Sequence, residues 1–464
     1  MTLLAFLLAL GVLVTVHEWG HYRVAVACGV KVLTFSIGFG KTLLRWKSRK
    51  PLAGQDTEFA ISLIPLGGYV KMLDEREGEV ALNDVNMAFN RQPLWARAAI
   101  VSAGPLANLV LAVCLYAATF WLGQYETQAT LATPVADSPV EAAGLRSGDT
   151  VLRAGTSPEH LEDVASLDAL RWWVLQQGAS AVTLEVQSQG KQSTRVLSVP
   201  ALAEAEALQK DSDVWQARGF SGAWSRPVLG EVQVGLAAYN AGLLRGDEVL
   251  RIDGRVVVDA TALRAMVRAS GEQKVPSTQI WEISRAGHAM AVRVTPAQVA
   301  QGPVHIGRIG ANVGEAPRQV WVQYGLFEGA SQALAKTGAV MAMTLDMLGR
   351  LLTGHASLDN LSGPLTMADY AGRSASLGLG AYLSYLALLS VSLGVFNLLP
   401  LPVLDGGHLL YYLYEACTGH PPAPRWLDVM QRVGFAVLVA LMTFSLFNDM
   451  VRLGWLSSVF PIHP

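Results

Sequence analysis

The chain has 464 residues, room for two or three domains, and a formal net charge of -2, which leaves no strong field to attract nucleic acid. Its residues are 51% hydrophobic and only 16% charged, too apolar for an ordinary soluble enzyme. Cys28, Cys114 and Cys417 lie in or beside apolar segments without metal-ligand spacing, which argues against a disulfide framework and a cysteine metal site. This is the composition of a membrane protein carrying water-soluble modules.

Four apolar segments are long enough to cross a bilayer of about 30 Å: 2–23, 97–123, 380–402 and 429–448. The first is apolar from Leu3 to Val16 and runs straight into His17-Glu18-Trp19-Gly20-His21. Ala25-Val26-Ala27 fits a signal-peptide cleavage site, but no basic stretch precedes the apolar run, so an uncleaved anchor is the better reading. On a helix His21 lies about 40° around the axis from His17, so both imidazoles can meet one metal ion, with Glu18 between them in projection. Such an HExxH helix is a zinc-peptidase signature, and ionisable groups inside a membrane span point to a functional site.

Residues 24–97 hold ten Lys or Arg, and a short basic loop marks the cytoplasmic side of the membrane. The N-terminus is then outside, and HEWGH lies toward the inner half of the bilayer. Within this loop, 35–44 (with Gly38 and Gly40) and 59–71 (with Gly67-Gly68) read as strands of a β-loop region over 30–75. Strands survive at membrane depth only when sheltered by protein or facing a watery cavity. An edge strand beside a protease site can hold an extended substrate by strand addition. In the second span Gly104 and Ala107 permit close helix packing, while Asn108 reads equally as a substrate or ligand contact and as interhelical glue.

From 124 to about 318 the chain is soluble in character and contains a repeat. Ala143-Gly-Leu-Arg-Ser-Gly-Asp-Thr-Val-Leu-Arg153 matches Ala241-Gly-Leu-Leu-Arg-Gly-Asp-Glu-Val-Leu-Arg251 at eight of eleven positions, 98 residues apart. The repeated segment resembles part of PDZ domains, which implies two PDZ-like domains, 124–222 and 223–318. The run Ala201–Asp213 reads as a hinge or helix between them. In the connection 319–379, residues 325–353 fit an amphipathic helix lying on the outer membrane surface, and Leu361-Ser-Gly-Pro364 a turn.

The third span ends in Asn397-Leu-Leu-Pro-Leu-Pro-Val-Leu-Asp405-Gly-Gly-His408, where two prolines and two glycines break the helix at membrane depth. Asp405 alone would read as a helix cap. As the only carboxylate of this stretch it also supplies the third ligand that His17 and His21 lack. Three protein ligands leave one position open, the pattern of a catalytic zinc site. His408 can orient a ligand from behind, or be structural.

HEWGH in the first span, Asn397-x-x-Pro400-x-Pro402-x-Leu404-Asp405-Gly406 in the third and the PDZ-like inserts between them together resemble the site-2 protease family. The tandem inserts resemble its regulator-of-sigma-E branch in Gram-negative bacteria. The resemblance implies an α-helical integral membrane protein with four transmembrane helices, a membrane-associated β-hairpin region and two inserted PDZ-like α+β domains. It further implies zinc held by His17, His21 and Asp405, Glu18 as the catalytic glutamate, and Asn397, Pro400, Pro402 and the Gly67–Gly68 hairpin against substrate. The implied reaction is cleavage within the transmembrane segment of single-span proteins, as the second cut of a cascade that releases an anti-sigma-factor fragment. Remnant signal peptides are further implied substrates. The implied location is the bacterial inner membrane, with the PDZ-like domains periplasmic and filtering the substrate's outer segment.

Two rivals remain. A membrane-tethered PDZ scaffold with a non-catalytic metal site would have no need of Glu18 as a base. A transporter with an ion-binding broken helix fits poorly with four spans and no inverted repeat.

Overall fold

A computed structural model describes residues 2–47, 54–76, 78–188, 194–202, 214–272, 276–301, 304–353 and 363–452. The chain divides into two compact units, one of Met1–Gln124 with Gln323–Pro464, the other of Tyr125–Val322.

Helix α1 (Thr2–Ala27) contains no proline and no charge before Glu18, so nothing interrupts its apolar run. Its 26 residues reach about 39 Å. Gly29, at φ 79°, turns the chain out of it.

Strands β1 (Val32–Lys47) and β2 (Glu58–Met72) follow, each bent by glycine. Gly38 and Gly40 take φ of 88° and 85°, and Gly67 takes 132°. Because of these bends, 32–37 pairs with 68–72 on one side and with 58–61 on the other, while 42–47 pairs with 58–62. Segment 68–72 is left as an outer edge with no further strand against it among the described residues. The bent end exposes Phe39, Leu43, Leu44, Leu63 and Ile64, an apolar tip suited to hydrocarbon. Helix α2 (Leu94–Leu122) then runs 29 residues, with Pro105 inside it.

In the second unit the repeat makes one turn twice. Gly148 and Gly246 take φ of 87° and 94°, and behind them Asp149 and Asp247 are buried. Each aspartate accepts the backbone N–H three residues earlier, Arg146 at 3.0 Å and Leu244 at 2.8 Å. The first turn leads into β3 (Thr150–Ser157), β4 (His160–Asp163), helix α3 (Leu167–Gln176), β5 (Val182–Gln187) and β6 (Thr194–Val199). The second leads into β7 (Glu248–Ile252), β8 (Arg255–Val256), helix α4 (Ala260–Ala269), β9 (Gln279–Arg285) and β10 (His288–Val294). Both sheets are antiparallel and share one order, β4-β3-β5-β6 and β8-β7-β9-β10. Each has its helix in the core, α3 through Leu170 and Val174, α4 through Leu263 and Val267.

Asp259 locks the two modules together. It caps α4 at the Ala262 N–H (2.7 Å) and also accepts from Thr133 N (2.6 Å), Thr133 Oγ1 (2.8 Å) and Ser147 Oγ (2.5 Å) of the first module. Most of the run 201–213, residues 203–213, lies outside the described residues.

The first unit resumes with α5 (Leu326–Leu352), α6 (Pro364–Leu377), α7 (Leu379–Asn397), α8 (Asp405–Thr418) and α9 (Pro424–Arg452). Helix α5 is one continuous helix over the stretch the sequence marked as amphipathic. It packs lengthwise against α2 and α7, its Ala333 joining one core with Ala112, Tyr116, Ala117, Phe120 and Val391. Small Ala333 and buried Thr337, four residues apart, let two helices approach, which lipid contact would not reward. The Lys336 amine sits over the Tyr116 and Phe120 rings at 5.1 and 5.4 Å. At α6, Asp449 of α9 accepts the free N–H groups of Gly363, Leu365 and Thr366 at 2.9 to 3.1 Å. Leu361 and Ser362 of the expected turn lie outside the described residues.

Helix α7 stops at Asn397, short of the expected 402. Pro400 and Pro402 offer no N–H to continue it, and residues 398–404 form a tight turn into α8. Among the described residues four helices are long and apolar enough to cross a membrane: α1, α2, α7 and the Arg425–Met450 part of α9.

Candidate metal centre

One turn of α1 places His17 and His21 side by side, with Nε2 atoms 3.2 Å apart. The turn after α7 delivers Asp405, whose Oδ2 lies 3.2 Å from His17 Nε2 and 3.5 Å from His21 Nε2. Gly406 and Gly407 make that delivery possible, since a Cβ at either would fall on the carbonyls of Leu398, Leu399 or Leu401. Asp405 Oδ2 is buried, with the two imidazole nitrogens as its polar neighbours. Two imidazole nitrogens and a carboxylate oxygen whose donor atoms lie within 4.8 Å of one another are a zinc-type donor set with an open position. The residues fit the metal.

Helix α2 forms the wall behind them. His21 Nδ1 donates to the Ile100 carbonyl at 2.8 Å, which leaves its Nε2 lone pair facing Asp405. This approach needs glycine twice: a Cβ at Gly104 would strike the His21 ring, and one at Gly20 would strike the Ala103 carbonyl. The sequence suggested close packing at Gly104 but could not name its beneficiary. Ile100, which acts through its carbonyl, carries no side-chain signal at all.

The remaining expected site residues divide. Glu18 is half-buried beside the sheet edge, where a Cβ at Gly68 would come within 3.0 Å of its Cγ. Gly67 instead makes room for the Phe39 ring. Asn108 is completely buried with its amide 3.1 Å from His17 Nδ1. Asn397 turns back on its own helix, donating to the Leu393 carbonyl at 3.0 Å. Pro400 is exposed in the turn, and Pro402 packs where Gly434 of α9 admits it. His408 meets the edge of Tyr411 at 5.9 Å, and no hydrogen bond joins it to Asp405 among the described contacts. A residue pair that sequence reasoning missed is Arg97–Glu415, a two-pronged ion pair (2.6 and 3.1 Å) that ties α8 to α2. Neither residue stands out in the sequence, because 318 positions separate them.

The sequence profile of peptidase family M50 matches residues 5–441. The chain is 38% identical to the regulator of sigma-E protease RseP of Escherichia coli (strain K12), covering 97% of this chain and 98% of that protein. It is 38% identical, over 98% of its length and 99% of the other, to a protein of Ralstonia nicotianae named as a zinc metalloprotease. Protease RseP of Yersinia pestis is 37% identical over 97% of this chain and 99% of that one.

Proposed function

The chain belongs to peptidase family M50 and is a zinc metalloprotease, and from that premise we propose that it cuts single-span membrane proteins within their transmembrane segments at the His17, His21 and Asp405 centre. The carrying observation is the convergence of these three side chains, one pair from a membrane helix and one from the break after another. Zinc held by His17, His21 and Asp405 would supply Lewis-acid chemistry for the scissile carbonyl and the attacking water. Glu18, on the ligand helix, takes the proton of that water and returns it to the leaving amine.

A peptide bond in a membrane helix is shielded by its own hydrogen bonds, so the substrate must unwind first. The edge 68–72, where a Cβ at Gly68 would come within 3.0 Å of Glu18 Cγ, offers backbone groups to receive the unwound strand. Pro400, exposed in the turn after α7, is a further candidate substrate contact, with Asn397 and Pro402 on either side of it. Substrates with helix-weakening residues near the cut are therefore preferred, and replacing those residues by Leu should slow cleavage.

In this reading the basic loop between α1 and α2 is cytoplasmic, and the Tyr125–Val322 unit is a pair of PDZ-like domains on the periplasmic side of the inner membrane. Support for the pair comes from the matching strand order of the two modules, and a cleft of about 780 Å³ between them, lined by Thr130, Thr150, Trp224 and Arg226, has room for a substrate's outer segment. Exclusion of bulky outer segments would make this the second cut of a cascade, with anti-sigma-factor-like proteins and remnant signal peptides as substrates.

The test is cleavage of a model single-span substrate in detergent by wild type and Glu18→Gln, with bound zinc measured in both. Zinc in both and cleavage only by wild type is expected. Cleavage by both would remove Glu18 as the base, and a wild type that binds zinc but cuts no single-span substrate would favour the scaffold.

A further inference from the structure

Asn108 is completely buried within α2, its amide nitrogen is 3.1 Å from His17 Nδ1, and its Oδ1 is buried with no hydrogen-bond partner. The two ends of a side-chain amide have nearly the same size, so a half-turn exchanges them without steric cost. Which end faces His17 decides the tautomer of that ring. If nitrogen donates to Nδ1, the neutral ring keeps its proton on Nε2, pointed at the other donor atoms of the centre. If oxygen accepts from Nδ1–H, Nε2 presents a lone pair. His21 already has the second arrangement, because the Ile100 carbonyl 2.8 Å from its Nδ1 can only accept. Metal ligation by both rings requires the same of His17.

We propose that Asn108 is a positioning residue of the zinc site: its Oδ1 accepts the Nδ1–H of His17, so that α2 sets the tautomer and orientation of both imidazoles. The inference rests on the zinc-site reading above. Ser390 of α7 steadies the segment, its Oγ donating to the Asn108 backbone carbonyl at 2.7 Å. One helix thus serves both ligands, at Ile100 and at Asn108, two turns apart.

The experiment measures zinc affinity of the full chain in detergent by competition with a chromophoric chelator, together with the visible spectrum of the cobalt-substituted protein. Asn108→Leu, which has no acceptor, should weaken zinc binding about 10- to 100-fold and alter the cobalt bands. Asn108→Asp should stay close to wild type, since a carboxylate oxygen accepts the same proton. Ser392→Ala, whose hydroxyl bonds only its own helix at the Leu388 carbonyl, should leave affinity unchanged. If Asn108→Leu does not fold, Asn108→Ala carries the same expectation. Wild-type zinc affinity in the Leu or Ala variant overturns the proposal and, with a raised KM, makes Asn108 a substrate contact. Equal weakening in the Leu and Asp variants also overturns it, because the amide would then be needed for packing. Undiminished affinity in His17→Ala and His21→Ala would instead sink the underlying zinc-site reading, whatever Asn108 does.

Discussion

Gly104 of α2 lies against the imidazole of His21 on α1 so closely that a single Cβ there would overlap Nε2 and Cε1. The same closeness lets the Ile100 carbonyl reach the far side of the ring. A methyl group at 104 must push the ring away or separate the helices, and either displaces the nitrogen that faces Asp405. Gly104→Ala is therefore expected to lower zinc affinity at least about 10-fold and to lower cleavage with it. Gly11→Ala, at an α1 position with open space around it, should change neither. Zinc titration of the two purified variants decides.

The contact between Gly68 and Glu18 makes a different prediction. A Cβ at 68 would stand 2.7 Å from the Ser36 carbonyl of the paired strand, 3.0 Å from Glu18 Cγ and 3.1 Å from Val14 Cγ1, so its three nearest neighbours include the base and none of the three ligands. Displacing an edge strand or a base by a fraction of an ångström is costly to catalysis, so Gly68→Ala should cut turnover by about 10- to 100-fold. Zinc content should stay at the wild-type level. A parallel fall in zinc would mean that the glycine serves the metal instead.

Arg97 and Glu415 are both largely enclosed, and the Arg97 guanidinium also lies over the Tyr412 ring at 5.2 Å. Removing one partner leaves the other charge buried and unpaired. Arg97→Ala and Glu415→Ala should each lower stability by roughly 3 kcal/mol, and the exchanged pair Arg97→Glu with Glu415→Arg should recover part of that. Denaturation in detergent followed by tryptophan fluorescence measures it. Because Asp405 opens the helix that Glu415 helps hold, both single variants should also bind zinc less tightly.

The Asp247–Arg285 pair adds a pH dependence to the second module. Burial by itself would raise the Asp247 carboxyl, but the two hydrogen bonds from Arg285 (both 2.7 Å) and the Leu244 N–H outweigh it and hold the group below the usual carboxylate range. A depressed folded-state value means stability that is complete above the unfolded value of about 3.9 and lost as pH falls through the folded one. Hydrogen exchange of β7 and β9 amides in the intact protein should therefore accelerate below about pH 4. Asp247→Asn, already lacking the charge, should show a much smaller pH effect there.

Much of the site was legible because its chemistry is local. Two histidines four residues apart must share a helix face, whatever surrounds them, and two prolines must end a helix that cannot bond past them. Asp405 could be picked because it is the only carboxylate in an apolar stretch. The strands of the 30–75 region announced themselves by composition. Their folding into four paired segments did not, since it depends on three glycines at positive φ and on which segments then meet.

Local pattern therefore determined the spans, the strand type, the repeat and the identity of the candidate ligands. Tertiary structure decided what local pattern cannot encode. It docked α5 along α2, turned Asn397 back on its own helix, and brought Asn108 to His17 and Gly68 to Glu18. It also paired Arg97 with Glu415 and Asp449 with the start of α6. Each of these depends on where a distant backbone comes to rest within an ångström, and that is set by the packing of whole helices, not by the residues flanking any one of them.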